Sequence, residues 1–205
     1  MDPIVDYERG IDPRCGKEVD VYKDILITPF YTKEYCDSLV EYCKKLDGFF
    51  QLTGDYGDDY SNRSMFMNMF SRIWYWKYSV HCKEYLKPAV DKEYWEHSYT
   101  GVFPPFINKF SLTEKNQTDM PLHCEVSGIS IVVKLNDDYE GGDLIFPRQQ
   151  IGNKDFPVGT AFVFPGWATH PHYVSKLTGG NTRYSLVGFS MPPKWIEEES
   201  DVIKF

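Results

Sequence analysis

Basic side chains are in short supply here: 22 Lys and Arg stand against 30 Asp and Glu, a formal charge of −8. A surface that neutralises phosphates needs a basic stripe, so this balance argues against nucleic acid as a partner. Long apolar runs are also missing. No stretch approaches the roughly 20 residues needed to cross a bilayer, and no membrane role is expected. The opening Met1-Asp2-Pro3-Ile4 is polar and acidic, unlike a secretory leader. Cys15, Cys36, Cys43, Cys82 and Cys124 are odd in number and form no CxxC pair. That pattern fits a reducing compartment rather than a disulfide framework, so a cytoplasmic location is expected. Histidine numbers only five, which makes its placement informative.

Aromatic residues are what the chain has in quantity: 15 Tyr, 14 Phe and 5 Trp make up 17% of its 205 residues. Such content suits packed β-structure rather than disorder. The length fits a single domain, 1–205, with a core that needs no covalent staples. Within it, 1–100 reads as N-terminal helical support and lid, and 101–192 as a β core. A short strand is expected over 22–29, then a helix over 33–46 capped by Thr32 and closed by Asp47-Gly48. Cys36 and Cys43 belong to that helix's apolar side and are expected in the core. A helical pattern over 69–87 is expected to end or kink at Pro88, with His81 and His97 as surface or packed residues. The acidic, glycine-bearing loop 54–62 and the segment 63–69 are candidate lid elements. From Val102 onward short strands alternate with turns, at 102–111 (broken by Pro104-Pro105), 129–135, 143–146, 160–164, 172–177 and 183–190. That rhythm reads as a jelly roll or sandwich.

His123 and Glu125 are one residue apart, so on an extended strand both face one side while Cys124 turns away into packing. A second histidine follows a β-rich interval, as a ligand on a neighbouring strand should. His170 and His172 flank Pro171 and both precede a strand; His172 is the favoured ligand, which leaves His170 to the rim or the substrate pocket. Two imidazoles and a carboxylate form a facial triad that keeps other faces of iron(II) open for chemistry. The same groups also ligate catalytic zinc. The HExxH pattern of zinc hydrolases is absent, however, and a hydrolase has no use for a buried arginine. Arg183 stands eleven residues beyond His172 and alternates with Ser185, so both can meet one carboxylate of a dicarboxylate co-substrate. The competing reading is an arginine in a structural ion pair. Arg148, Trp167, His170 and Arg63 are candidate substrate contacts.

Residues 106–192 resemble the iron(II)- and 2-oxoglutarate-dependent oxygenases, and among them the prolyl-4-hydroxylase-like group. The matching pieces are Ile107-Asn108-Lys109-Phe110 leading to His123-Cys124-Glu125, Val133-Lys134-Leu135-Asn136-Asp137-Asp138, Glu140-Gly141-Gly142-Asp143-Leu144-Ile145-Phe146-Pro147, Gly159 to Pro165, and His172-Tyr173-Val174 through Arg183-Tyr184-Ser185-Leu186. The resemblance implies a mostly β fold with flanking helices, a double-stranded β-helix core supported by N-terminal helices. It implies iron held by His123, Glu125 and His172, with 2-oxoglutarate as co-substrate and its far carboxylate on Arg183, helped by Ser185. The resemblance further implies O2 as the oxidant and ascorbate as an accessory reductant. The implied reaction hydroxylates a C–H bond and releases succinate and CO2, first in a peptidyl, prolyl-type substrate. A hydroxylase of a free amino acid or other small molecule is the alternative, and a catalytically idle binding module the second. Two departures stand out. Glu125 occupies the place where this group usually has Asp, and Lys134 the place where relatives often carry an aromatic near the co-substrate. An outward orientation is expected for Lys134.

Overall fold

The computed structural model describes residues 20–22, 24–46, 51–53, 62–67, 71–94, 101–113, 117–125, 127–166, 169–190 and 203–204; for 20–22, 51–53, 62–66 and 203–204 only the backbone is considered. In chain order these form β1 (Asp20–Tyr22), β2 (Ile25–Pro29), α1 (Lys33–Lys45), β3 (Gln51–Thr53), β4 (Asn62–Phe66), α2 (Arg72–His81) and α3 (Lys87–Glu93). The second half is β5 (Gly101–Val102), β6 (Phe106–Phe110), β7 (Met120–His123), β8 (Ile129–Lys134), β9 (Tyr139–Glu140), β10 (Leu144–Phe146) and β11 (Ile151–Gly152). It continues with β12 (Thr160–Pro165), β13 (His172–Val174), β14 (Gly179–Gly180), β15 (Arg183–Phe189) and β16 (Ile203–Lys204).

Two antiparallel sheets carry the architecture. The larger runs β1-β2-β12-β8-β15-β6-β4-β3, and the smaller β11-β10-β13-β7. Alternation along each strand sends side chains to opposite faces, and in the larger sheet both faces are covered. Ile25, Ile27, Phe110, Val132, Phe162, Phe164 and Val187 of the larger sheet meet Leu144, Phe146 and Val174 of the smaller, which fills the space between the sheets. The opposite face of the larger sheet, with Leu26, Ile131, Val133, Ala161, Val163 and Leu186, is backed by Tyr35, Cys36, Leu39, Val40 and Cys43 of α1 and by Tyr78, Cys82, Leu86 and Val90. The result is a double-stranded β-helix with a helical layer on one side. It matches the expected fold class.

Local chemistry accounts for the helices. Thr32 caps α1 through its hydroxyl, which accepts from the Tyr35 N–H at 3.2 Å, and Ser71 caps α2 toward Trp74 in the same way. Cys36 and Cys43 are fully buried, as expected for core residues. His81 is also fully buried, edge-on to the Phe30 ring at 4.3 Å, and burial pushes its pKa down to about 3. His97 lies outside the described residues.

Several expectations are corrected. Pro88 does not end the run: a π-helical turn spans Cys82–Leu86 and α3 continues through Pro88, which sits in its first turn. Proline clashes with the carbonyl four residues back in an α-helix, and the wider turn beforehand opens that spacing. The strand expected over 172–177 stops at Val174, after a register shift between His172 and Val174. Asn62–Phe66 is not a lid but a sheet strand, paired with β6 and β3. The loop 54–61 lies outside the described residues.

Candidate metal and co-substrate site

The smaller sheet brings β7 and β13 side by side and sets His123 opposite His172. β7 ends at His123, and Cys124 and Glu125 continue without regular pairing. The premise of one extended strand holding both ligands is therefore corrected, and Cys124 is exposed rather than packed. Glu125 still turns back to the histidines. Its Oε1 lies 3.4 Å from His123 Nε2 and 3.5 Å from His172 Nε2, and ligand atoms of the three residues all fall within 4.8 Å of one another.

The two rings are aimed by the backbone. His123 Nδ1 is 2.7 Å from the Pro121 carbonyl, and His172 Nδ1 is 3.0 Å from the His170 carbonyl. A carbonyl can only accept, so each Nδ1 donates to it, and each ring is held with its Nε2 turned toward Glu125. Backbone partners of this kind fix tautomer and ring angle in metal-binding histidines. The ring of Phe146 at 5.2 Å and that of Phe164 at 5.0 Å wall His172 with apolar surface. Burial acts to raise the Glu125 pKa, but the hydrogen bonds and charges of His123 and His172 outweigh it and bring it down to about 2. Burial acts to lower the His123 pKa, and Glu125 with the Pro121 carbonyl reverses that into a rise. An ionised carboxylate and two oriented imidazoles are a donor set that divalent iron fits.

Arg183 begins β15, and its side chain shares a face with Ser185 and with Val187 of the inter-sheet core. It is 2% exposed. One terminal nitrogen donates to Ser185 Oγ at 3.0 Å, and the guanidinium sits 5.1 Å from the centre of the Phe110 ring. Burial lowers its pKa, offset in part by Tyr139 and Asp143. No carboxylate pairs with it among the described residues, and its Nε meets no acceptor there. The structural ion pair considered from sequence is therefore not what holds it. Gly142 completes the surround: at φ +67° any Cβ would lie 2.9 Å from Arg183 Cδ.

Lys134 corrects another expectation. Val133 faces the helices, so its neighbour Lys134 faces inward, 6% exposed and paired in register with Ser185. Sequence reasoning missed this because β8 is apolar on both faces and shows no polar alternation to read. Tyr139 was missed too; its only signal is its place just before Glu140-Gly141-Gly142.

Of the remaining candidates, His170 is buried, with Nδ1 2.9 Å from Thr169 Oγ1; it stands outside the His-Glu-His group and touches it through its backbone carbonyl. Arg148 is exposed in the turn between β10 and β11. Arg63 lies on β4, and its side chain and all of Trp167 fall outside the described residues.

No protein-family model matches the chain. Among curated proteins it is similar to the multifunctional procollagen lysine hydroxylase and glycosyltransferase of Caenorhabditis elegans, 27% identical over 201 residues covering 92% of this chain and 26% of that protein. It is also similar to procollagen-lysine,2-oxoglutarate 5-dioxygenase 1 of Rattus norvegicus, 30% identical over 196 residues covering 87% of this chain and 25% of the relative. The chain thus spans about a quarter of the length of these relatives. Among solved structures it matches a Pseudomonas putida prolyl-4-hydroxylase with a TM-score of 0.63 at 16% identity, covering 82% of this chain and 93% of the other. A Trichoplax adhaerens prolyl hydroxylase, solved with a peptide fragment of the hypoxia inducible factor oxygen degradation domain, matches at 0.59 and 16%, covering 86% and 87%. The chain thus shares the fold of the prolyl-4-hydroxylases it matches, and over most of its length its sequence is similar to a quarter of the procollagen lysine hydroxylases.

Proposed function

We propose that this chain binds iron(II) through His123, Glu125 and His172, binds 2-oxoglutarate against Arg183 and Ser185, and hydroxylates a side chain within a peptide. The observation that carries the reading is the convergence of two carbonyl-oriented Nε2 atoms on one carboxylate oxygen. Arg183, a cation with no ion-paired acid among the described residues, faces the same inter-sheet space. Bound iron would supply O2 activation, with one oxygen atom leaving in succinate as CO2 is lost and the other entering the substrate C–H bond. The chain's own residues would do the positioning. Pro121 and His170 carbonyls hold the imidazoles, Arg183 and Ser185 fix the far carboxylate, and Phe146 and Phe164 keep water from the reacting side.

Relatives whose names specify procollagen lysine, together with a structural neighbour solved with a peptide, support a peptidyl substrate. The lysine-directed relatives are the more similar in sequence, so a lysyl side chain is the first substrate to test and a prolyl ring the second. The experiment is aerobic incubation with iron(II), ascorbate and 2-oxoglutarate, using matched peptides carrying either Lys or Pro. Expected is a mass gain of one oxygen on the peptide, matched by succinate. Iron retention and 2-oxoglutarate binding with no oxidation of peptides or free amino acids would support an idle binding module instead.

A further inference from the structure

Arg183 is not the only cation buried between the sheets. Lys134 sits on the neighbouring strand, opposite Ser185 in register, so Ser185 has Lys134 beside it and Arg183 two residues along its own strand on the same face. Its ammonium donates to the carbonyls of Asn153 at 3.5 Å, Lys154 at 3.1 Å and Phe156 at 3.1 Å. Those are its three hydrogens, and all three acceptors are neutral. Burial lowers its pKa; Asp137, Asp143 and Asp155 act to raise it, and the Arg183 guanidinium to lower it. None of these acids forms an ion pair with Lys134 among the described residues. Arg183 is likewise held by uncharged partners, Ser185, Tyr139 and the Phe110 ring.

Two buried cations on adjacent strands repel, and each has lost its hydration, so the arrangement is unfavourable until an anion enters. A neutral side chain would satisfy the packing at either place. We propose that Lys134 is a second cation of the co-substrate pocket: fixed by its carbonyl cage, it acts on the distal carboxylate through space while Arg183 and Ser185 make the direct contacts. The inference rests on the reading of this site as a 2-oxo acid pocket. It adds a consequence for specificity, because a pocket with two buried positive charges discriminates against 2-oxo acids that lack the far carboxylate more strongly than one charge would.

The test is titration under nitrogen, in the presence of iron(II), of 2-oxoglutarate and of 2-oxopentanoate, which replaces the distal carboxylate by a methyl group. Lys134→Met removes the charge, and Lys134→Gln removes it while keeping an amide that donates to the carbonyl cage. Expected is a loss of about tenfold in 2-oxoglutarate affinity in both variants, with 2-oxopentanoate affinity changed less than about twofold. Equal losses for the two acids would mean that Lys134 only braces the 153–156 turn, and would overturn the proposal. Arg183→Gln gives a second arm that leaves Lys134 in place. A residual several-fold preference for 2-oxoglutarate over 2-oxopentanoate that is lost when Lys134→Met is added supports a second cation; a ratio near one, or a preference unchanged by Lys134→Met and so owed to Ser185, overturns it. Failure of the wild type to bind 2-oxoglutarate at all would instead remove the function proposed above.

Discussion

Replacing Arg183 with methionine should move binding and stability in opposite directions. The guanidinium can offer a carboxylate two charge-assisted hydrogen bonds, each worth roughly 1.5–3 kcal/mol. Taking the lower value for both gives about 3 kcal/mol, a loss of more than a hundredfold in 2-oxoglutarate affinity. Ser185 remains, so the loss has a floor near tenfold. In the ligand-free protein the balance differs. Arg183 is 2% exposed, and among the described residues its Nε meets no acceptor and no carboxylate forms an ion pair with it. Methionine gives up the hydrogen bonds to Ser185 and Tyr139 and the contact with Phe110, together about 2–3 kcal/mol. It also removes a buried, uncompensated charge whose burial costs several kcal/mol. The variant should therefore be as stable as the wild type or more so, while binding the co-substrate far less well. Calorimetric titration under nitrogen and a denaturant melt read the two quantities separately. Affinity within twofold of the wild type would take Arg183 out of the pocket. Destabilisation beyond about 2 kcal/mol would make it a packing residue, and the site would lose its cation.

His172→Ala should abolish iron or manganese binding, measured by metal retention after desalting, whereas His170→Ala should retain it, because His170 acts through its backbone carbonyl; the reverse outcome exchanges their roles. Metal affinity should also rise with pH. His123, with its raised pKa, must give up a proton to the metal, while Glu125, at about 2, is already ionised. In the metal-free protein the His123 contribution is fully present below its unfolded value and lost as pH rises through the folded one. The Glu125 contribution is present above its unfolded value and lost as pH falls toward 2. Metal-induced thermal stabilisation should accordingly grow as pH rises through the folded His123 pKa, and a flat profile would show that no proton competes with the metal. Gly142→Ala, at φ +67°, should cost about 1–2 kcal/mol from backbone strain alone. It should also weaken 2-oxoglutarate binding several-fold by pressing on Arg183; a melt shift with unchanged binding would separate Gly142 from the pocket.

What the sequence made legible followed from periodicity and spacing. Thr32 before an apolar stripe placed α1 to within a residue, and β-branched runs placed β8, β12 and β15. His123, Glu125 and His172 could be proposed because histidines are few in this chain and these residues stood in a strand-like context. What stayed hidden was decided by tertiary contact. The π-helical turn that carries the chain through Pro88 escapes a reading by α-helical periodicity, because the proline reads as a stop while Cys82, Leu86 and Val90 on both sides of it stay in the core. The orientation of Glu125 was inferred from an extended strand that ends two residues too early.

Lys134 shows the limit most clearly. In a strand buried on both faces, hydrophobicity carries no information about direction, so a lone lysine reads as the one residue that ought to point to solvent. The register with β15 reverses that, since Ser185 is its partner and Ser185 faces Arg183. Once the lysine is inside, its three carbonyl acceptors explain how it is tolerated, but not why a charge is kept where an apolar side chain would pack. A polar group in a core costs free energy even when its hydrogen bonds are complete. The charge finds a use only when an anion shares the pocket. The same logic applies to Arg183: on the proposed function, cations with no ion-paired acid among the described residues would mark where the carboxylate of 2-oxoglutarate lies between the sheets, and the paired imidazoles would mark where the metal lies.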